Sequence, residues 1–558
     1  MKTLIFFLTI FVLPLFSQTN PDIKKLTNEF FEWRIATQPI SGDDIPRVER
    51  PDLWYPNYSP ENVKNYKKKY GEFRKKLESI NREGFTKSDS IDYLLLRSAI
   101  ERVNWELNVL KLPHSHPEFY IDQTLGSIFD LLVISSPFTK KRAKNFNIRL
   151  RAIPDLLTHA KINLNDPIKQ FAEITIKSLE GIDNKLSVMI NSLIKSFPGI
   201  WENNIKESVR EASNSLLEYS NWLSENLESM KNNTPIGREN YNYFLKNIAL
   251  VPYSPEELLR MGRQEWQRTV AFEALESKRN NSIPQPLMFK SIEEEINQAI
   301  KDEQAIRDFL VEKDVMSVPG WTKNYTLKKM PKYLEALADF GELDDFTSPT
   351  RLNENSVRYI PEPSNELGYF YKTAATDPRP LIIHEGTPGH YFQLIQSWKN
   401  PNKLRRYYFD SNANEGIGFY LEEMMLQLGL FENKPHTREI IYNFMRLRAL
   451  RIDIDINLAL GNYSIKDAAN YLAVTVPMDI KSAGDEAAFF ALTPGQAITY
   501  QIGKIQIINL ISEAKVKYGE KFKLKDYHDY MMKNGNVPIA LQHWEFVGIN
   551  DLIKKLWN

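Results

Sequence analysis

The residues best suited to chemistry lie in segment 380–393, which reads PLIIHEGTPGHYFQ. The segment holds two of the eight histidines of the chain, His384 and His390, and Glu385 directly follows the first. Catalytic zinc typically takes three protein ligands from histidine and carboxylate side chains and keeps one position for water. A His-Glu pair is also the usual start of a metalloprotease helix, in which the glutamate is the general base. These residue types therefore predict hydrolysis assisted by a metal ion.

The spacing of the two histidines departs from the usual motif. Paired ligands on one helical face are four residues apart, and the fourth position after His384 is Pro388. On a regular helix a separation of six residues turns through about 600°, which leaves the side chains roughly 120° apart. Pro388 removes a helical hydrogen bond, and Gly389 tolerates unusual dihedral angles. We therefore expect a distortion that lets both histidines reach one metal ion.

The elements that must position these residues are mainly helices. Helix starts are marked by a serine cap followed three residues later by an acid, at Ser254 with Glu257, Ser291 with Glu294 and Ser464 with Asp467. Apolar periodicity predicts helices over 62–81, 88–110, 167–197, 201–231, 258–275 and 292–311. The sequence contains no internal repeat and no glycine-rich linker.

Evidence for strands is thin. Segment 451–457 alternates isoleucine with polar residues, which by itself indicates a strand. It lies within the run 437–460, which has no turn residues and many good helix formers, so we favour one long helix there. Segment 324–363 is richer in turn residues and aromatics, which favours a loop or a small sheet near the active site. The expected fold is therefore mainly α, with at most a small sheet.

The N-terminus predicts export. Lys2 is followed by the apolar run 4–16 and then by Ser17-Gln18, as in a secretory signal peptide. An uncleaved anchor is the alternative, but the run is shorter than the ~20 residues of a membrane span. We expect residues 1–17 to be removed, leaving a periplasmic or secreted protein without stable membrane insertion. We expect 18–250 and 251–558 to form two helical halves of one continuous unit.

Composition excludes several kinds of protein. The 558 residues include 71 Lys+Arg and 71 Asp+Glu, so there is no net field to attract nucleic acid. There is no cysteine, which excludes disulfides, thiolate nucleophiles, thiolate metal ligands and a lipid anchor on cysteine. The chain is therefore expected to be stabilised by its apolar core.

The sequence resembles a known bacterial family, domain of unknown function 885, whose signature is HExxPGHH followed by an EGWALY-like stretch. The pieces that carry the resemblance are HEGTPGHYFQ, EGIGFYLEE, GRENYNYFL, SPEELLRMG, TPGQAITYQIG and YHDYMMKNGNVPIALQ. They span most of the mature chain in the family's order. The family is regarded as related to thermolysin-like and oligopeptidase-like zinc peptidases. The resemblance thus implies a large helical body with an active-site cleft, one zinc ion per chain and a peptide substrate.

The resemblance also implies roles for particular residues. Glu415, 25 positions beyond His390, corresponds to the third metal ligand of helical oligopeptidases. Glu422 is the alternative ligand, or it orients a histidine ring by accepting a hydrogen bond from the ring nitrogen that does not bind the metal. Glu385 would take a proton from water and pass it to the leaving amine. Tyr500 is the candidate donor to the oxyanion, with a packed core aromatic as the other interpretation.

Three positions depart from the family pattern. Tyr391 stands where a second histidine is common, Ile417 replaces the tryptophan of EGWALY, and Ala459 falls where a histidine is usual. Two alternatives therefore stay open, a catalytically degenerate protein that binds metal or peptide and a hydrolase of a non-peptide bond. A divalent ion other than zinc also suits two histidines and a carboxylate. The sequence specifies neither the substrate, nor endo- or exopeptidase action, nor the oligomeric state.

Other polar residues favour structural roles. His528 is interpreted as a helix-packing histidine, and Asp455, one turn from Arg451, as a member of an ion pair that supports the fold. His114 and His116 have a spacing that could bind a metal ion adventitiously, although we favour no site there.

Overall fold

The computed structural model of the protein describes residues 20–40, 45–135, 137–476 and 478–557. The predicted signal peptide, residues 1–17, lies outside these ranges. The described chain is mainly helical and contains one small sheet, which confirms the predicted fold class at that level. No described helix is both long enough and apolar enough to cross a membrane.

Helices fill both halves of the chain. The first half contains helices Pro21–Thr37, Pro60–Glu78, Lys87–Asn104, Leu112–Ser115, Pro117–Ile121, Ser127–Val133, Lys140–Asn163, Lys169–Ser178, Ile182–Ser196, Ile205–Asn226 and Arg238–Tyr243. The second contains Pro255–Arg279, Ile292–Glu312, Lys332–Glu335, Tyr369–Ala374, Arg379–Leu381, His390–Ser397, Lys403–Tyr407, Ser411–Gln427, Pro435–Leu460, Ile465–Thr475, Ile480–Leu492, Thr499–Tyr518, Leu524–Lys533, Ile539–Val547 and Asp551–Trp557. Wider π turns occur at Trp105–Val109, Asp122–Gly126, Phe244–Ile248 and Ile382–Gly386, and 3₁₀ turns at Leu227–Ser229, Ala338–Phe340 and Gly519–Lys521.

The predicted helix starts are confirmed. Ser254 and Ser464 each accept a hydrogen bond from the backbone three residues on, and the acid at that position bonds back. The Ser291 side chain likewise accepts a hydrogen bond from the backbone N–H of Glu294. These contacts satisfy N–H groups that a helix start otherwise leaves without partners. The pattern over 167–197 is instead divided into two helices, because the chain turns at Gly181, whose φ of +66° favours glycine.

The run with alternating isoleucines is a helix, as expected. It lies within the helix Pro435–Leu460, named here the arginine helix after the Arg448 and Arg451 that it carries. Ile452, Ile454 and Ile456 are all fully buried. Their side chains point to different faces of the helix, and all are buried because neighbouring helices pack on several sides of it. These neighbours include Pro255–Arg279 and Ile480–Leu492. A helix buried all round loses the one-sided apolar stripe on which sequence periodicity depends.

A three-stranded sheet forms within segment 324–363, as predicted. Strand β1 is Tyr325–Lys329, β2 is Asp344–Asp345 and β3 is Ser356–Ile360. The order is β1-β3-β2, with β3 parallel to β1 and antiparallel to β2. The ring of Tyr325 on β1 packs directly against Gly386, and a Cβ added to this glycine would lie 2.5 Å from ring atoms. The sheet therefore contacts the His-Glu segment.

The apolar core crosses the predicted boundary at residue 250. One cluster contains Ile23, Phe30 and Leu94 from the first half together with Leu404 and Leu541 from the second. A soft division of the chain at 236–254 stays a prediction.

Candidate metal centre

The two histidines are brought together by a break in the helix that carries them. His384 lies in the π turn Ile382–Gly386, and a new helix begins at His390 after a cis Thr387-Pro388 bond. The predicted distortion is therefore present, and the two rings have centroids 4.6 Å apart. A Cβ added to Gly389 would lie 1.8 Å from the carbonyl oxygen of His384, so only glycine fits this close return of the chain.

Three ligand-type atoms converge next to this break. Glu415, on the helix Ser411–Gln427 (the glutamate helix), has Oε2 3.2 Å from Nε2 of His384 and 3.2 Å from Nε2 of His390. Two atoms each ~2.1 Å from a tetrahedral ion are ~3.4 Å apart, so this spacing fits two ligands of one ion. Within the described ranges these three residues form the one group of three whose ligand atoms all lie within 4.8 Å of one another.

The second nitrogen of His384 faces a different carboxylate. Its Nδ1 lies 2.7 Å from Oε1 of Glu422, which also forms an ion pair with Arg448 at 3.1 Å. A carboxylate paired with arginine is an acceptor, so Nδ1 of His384 carries the proton and donates it. In the neutral ring, Nε2 then presents a lone pair towards Glu415, as a metal ligand requires. Glu422 thus contacts the ring nitrogen that faces away from the three converging atoms.

The electrostatics of the cluster favour a bound positive charge. Burial by itself would lower the pKa of His384, but its hydrogen bonds with Glu415 and Glu422 raise that pKa to about 9. The two carboxylates therefore favour a positive charge at the His384 ring. The donor set, its spacing and this demand for positive charge all fit a divalent ion.

Glycines let the surrounding helices approach the histidines. Gly418 lies under both rings, and a Cβ there would be 2.9 Å from Cε1 of His390 and 3.0 Å from Cε1 of His384. Gly416 faces Gly503 on the helix Thr499–Tyr518 (the tyrosine helix), where a Cβ would lie 2.5 Å from the opposing Cα. The resulting close packing brings the glutamate helix and the tyrosine helix to the same site.

Tyr500 lies against the first histidine. Its ring is nearly parallel to that of His384, with centroids 6.1 Å apart and an interplanar angle of 17°. The guanidinium of Arg451 lies 4.7 Å from the ring centroid on the arginine helix side. Burial and then the nearby Glu415 carboxylate raise the pKa of Tyr500 well above its ordinary value, so its hydroxyl stays protonated and able to donate.

Glu385 lies at the edge of the cluster. Its Oε2 is 4.0 Å from Nε2 of His390, and its side chain is 24% exposed, against 5–7% for the two histidines. The carboxylate is therefore accessible to solvent and also lies close to the three converging ligand atoms.

The predicted ion pair of Asp455 is wrong. Arg451 instead pairs with Glu486. Asp455 accepts hydrogen bonds from the backbone of the turn 495–498, at 2.8 Å from Gly495 and Ala497 and 3.2 Å from Ile498. Burial raises its pKa to about 7. Asp455 therefore holds the turn that leads into Tyr500.

The other predicted structural histidines lie away from the cluster. His528 is fully buried and is hydrogen-bonded to the Tyr420 hydroxyl and the Val315 carbonyl, which confirms its packing role. His114 and His116 bond a backbone carbonyl and a serine hydroxyl, and neither belongs to a three-residue metal-ligating group of the described chain.

Comparison with known proteins decides the family. Residues 47–542 match the family described as bacterial protein of unknown function, DUF885. The chain belongs to this family. No curated protein matches the chain.

Two solved structures share the fold of this DUF885 protein. One is described as a "putative lipoprotein of unknown function" from Shewanella oneidensis, with 16% identity, a TM-score of 0.72 and coverage of 94% of this chain and 99% of the other. The second is a "putative lipoprotein" from Colwellia psychrerythraea, with 17% identity, a TM-score of 0.73 and coverage of 94% and 98%. The likeness in fold therefore covers 94% of this chain in both cases.

The three departures from the expected DUF885 pattern are all buried. Tyr391 and Ile417 belong to the apolar cluster that also contains Ile382 and Ile383 of the His-Glu segment. Ala459 packs with Tyr241 and Leu258 in a separate cluster. None of the three belongs to the group of converging ligand atoms.

Sequence reasoning missed several residues that shape the DUF885 site. Arg448, which pairs with Glu422, lies between the rings of Phe419 and Phe444 at 4.9 and 5.2 Å. Gly418 and Gly503 allow the close approaches described above. The two glycines of EGIG in a buried helix were a visible signal, since glycine weakens a helix unless something must come close.

Proposed function

We propose that this protein is a metal-dependent hydrolase that cleaves amide bonds of peptides. The observation that carries the proposal is the convergence of His384 Nε2, His390 Nε2 and Glu415 Oε2, with the other nitrogen of His384 fixed by Glu422. His384, His390 and Glu415 would hold one zinc ion, although another divalent ion suits the same set. A bound ion would lower the pKa of a water molecule and polarise the substrate carbonyl.

Glu385 supplies the proton transfers in this proposal. Its carboxylate borders the ligand atoms and is partly open to solvent. It would accept a proton from the attacking water as the C–O bond forms. It would then deliver that proton to the leaving amine as the tetrahedral oxyanion collapses and the C–N bond breaks. Positioned acid–base groups of this kind contribute about 10²–10⁴-fold to rate.

Tyr500 is proposed to stabilise the oxyanion. Stacking on His384 and the guanidinium of Arg451 fix its ring beside the site. A hydroxyl held in advance can donate to developing negative charge without reorganisation. Removal of one such donor costs about 10²–10³-fold in other hydrolases.

Two other functions keep support from particular residues. Tyr391, Ile417 and Ala459 replace residues of the family pattern with others that lack an imidazole or indole group, which favours a degenerate metal-binding or peptide-binding protein. The ligand set alone equally suits a hydrolase of a non-peptide bond. The N-terminal sequence and the two relatives described as lipoproteins support export to the periplasm or outside the cell.

The function is tested with purified protein, zinc analysis and a mixed peptide library. We expect about one zinc per chain and cleavage of some library members by the wild type. Glu385→Gln should keep the zinc and lose at least about 100-fold in turnover, because only the proton acceptor is removed. Glu520→Gln, at a side chain fully exposed in its ion pair with Lys515, is the control and should behave as wild type.

The outcomes separate the alternatives. Bound zinc without any peptide turnover would favour a non-peptide hydrolase or a binding protein. Full activity of Glu385→Gln would contradict its assigned role. Failure to bind zinc after reconstitution would remove the metal site.

A further inference from the structure

Each strand of the small sheet contributes one side chain to a line of polar contacts. The hydroxyl of Tyr325 on β1 donates to Oδ1 of Asp344 on β2 at 2.7 Å. Asp344 forms an ion pair with Arg358 on β3, which is its register partner across the antiparallel pair. Nη1 of Arg358 in turn lies 3.8 Å from Oε1 of Glu385. The line therefore runs from the far strand to the proposed general base.

The two oxygens of Glu385 face different neighbours. Oε2 faces Nε2 of His390 at 4.0 Å, whereas Oε1 faces Arg358. In the described chain these two are the basic side chains within 4.0 Å of Glu385. A glutamate has several rotatable bonds, and this one is partly exposed. The charge of Arg358 beside Oε1 therefore favours the orientation in which Oε2 faces His390.

Arg358 is not occupied in supporting the backbone. Its Nε is buried and has no hydrogen-bond partner among the described residues. Arg142 offers a contrast, since it is also buried but donates to the backbone carbonyls of Leu131 and Ile134 at 2.6 Å. Arg358 instead pairs with two carboxylates, Asp344 and Glu385.

Asp344 is suited to hold the guanidinium. It is 3% exposed, and burial raises its pKa to about 6 despite the opposing effect of Arg358. A buried carboxylate of this kind requires a cation and further donors, which Arg358 and Tyr325 supply. Gly386, directly after Glu385, closes against the Tyr325 ring, so the same strands also fix the backbone of the His-Glu segment.

We propose that Arg358, held by Asp344 and Tyr325, is a positioning residue for Glu385. It keeps one carboxylate oxygen directed at the three ligand atoms, where the attacking water is activated. This role rests on the proposed function, because it concerns the base of that reaction. Arg358 acts through Glu385 and does not itself exchange a proton.

The test compares Arg358→Ala with the loss of a second arginine that pairs with the same sheet from the connection between β2 and β3. Arg351 pairs with Asp345, the strand neighbour of Asp344, at 2.5 Å, so Arg351→Ala removes an equivalent arginine that does not face Glu385. Misplacement of a catalytic group by ~1 Å can cost about 10²-fold. We expect Arg358→Ala to lower kcat about 10- to 100-fold with KM and zinc content unchanged, and Arg351→Ala to stay within about twofold of wild type.

Two further variants keep the test decisive. Arg358→Lys, which retains charge but not the planar fork, should give a smaller loss in kcat and covers the case in which the alanine variant does not fold. Added guanidinium should restore part of the kcat of Arg358→Ala and leave the wild type unchanged. Equal losses in the Arg351 and Arg358 variants, or no rescue, would overturn the positioning role.

A crystal structure of the zinc-soaked Arg358→Ala variant separates this inference from the proposed function. If the wild type cleaves no peptide, the proposed reaction fails, yet the position of Glu385 still reports on Arg358. We expect Oε2 to move away from Nε2 of His390 in the variant. An unchanged Glu385 would contradict the inference whatever the activity.

Discussion

Two buried charge clusters share the glutamate helix, and they are balanced in different ways. Glu423 lies 2.8 Å from Nζ of Lys504 and 3.1 Å from Arg268. Glu265 joins the same cluster, at 2.8 Å from Arg268 and 3.4 Å from Lys504. Lys504 is completely buried. Every carboxylate in this cluster therefore has cations supplied by the protein.

The Glu415 carboxylate is balanced differently. In the described chain its partners within 4.0 Å are two histidines and no lysine or arginine. Buried charges are stable only when they are paired or coordinate a metal. The charges of the Glu423 cluster are therefore balanced by the protein itself, whereas the Glu415 cluster requires a proton or an external cation.

The largest expected effect concerns the self-balanced cluster. Lys504→Met should destabilise the protein by about 3–5 kcal/mol, because it leaves buried carboxylates with too few cations. Urea unfolding measures the change, and Lys515→Met on the exposed face of the same helix is the control. Zinc affinity of the refolded variant should not change. A loss of zinc binding without a loss of stability would contradict the stabilising role assigned to the Glu423 cluster.

A smaller effect should separate the two glutamates. Zinc at 100 times its dissociation constant should raise the free energy of unfolding of the wild type by about 2.7 kcal/mol. Glu415→Ala should lose this gain, since it removes a proposed ligand. Glu423→Gln should start from a lower stability and keep the gain. Equal responses of both variants to zinc would show that the clusters do not differ as described.

The smallest effect sharpens the role of Glu422. Glu422→Gln should weaken zinc affinity about 10- to 100-fold, the usual range when the partner behind a ligating histidine is changed. Glu439→Gln is the control, because Glu439 faces Nδ1 of His436 at 3.1 Å in a pair outside the proposed site. Isothermal titration measures both. A loss in Glu422→Gln as large as that in Glu415→Ala would make Glu422 a ligand.

Local features of the fold could be predicted from the sequence, and contacts between distant elements could not. Serine caps and the long arginine helix follow from short-range hydrogen bonding and the absence of turn residues. The break before His390 follows from Pro388 and Gly389. The pairing of Arg358 with Glu385 depends on how the sheet docks on the helices. No spacing along the chain encodes that arrangement.

The error at Asp455 has the same origin. Residues one turn apart on a helix are neighbours, which favoured a pair with Arg451. In the folded protein, Asp455 faces the N–H groups of the turn 495–498, and Arg451 faces Glu486. Both partners come from segments that the sequence pattern could not bring to the arginine helix. His384 and His390 could be singled out because they are close in the sequence, whereas Glu415 was chosen only from the family resemblance.

Anomalous diffraction from zinc-soaked crystals tests the central claim most directly. We expect one strong peak at the zinc edge, within bonding distance of Nε2 of His384, Nε2 of His390 and a carboxylate oxygen of Glu415, with Glu422 still hydrogen-bonded to Nδ1 of His384. The peak should be absent in Glu415→Ala crystals soaked in the same way. A peak elsewhere in the protein, or no peak in wild-type crystals, would contradict a metal centre at these residues.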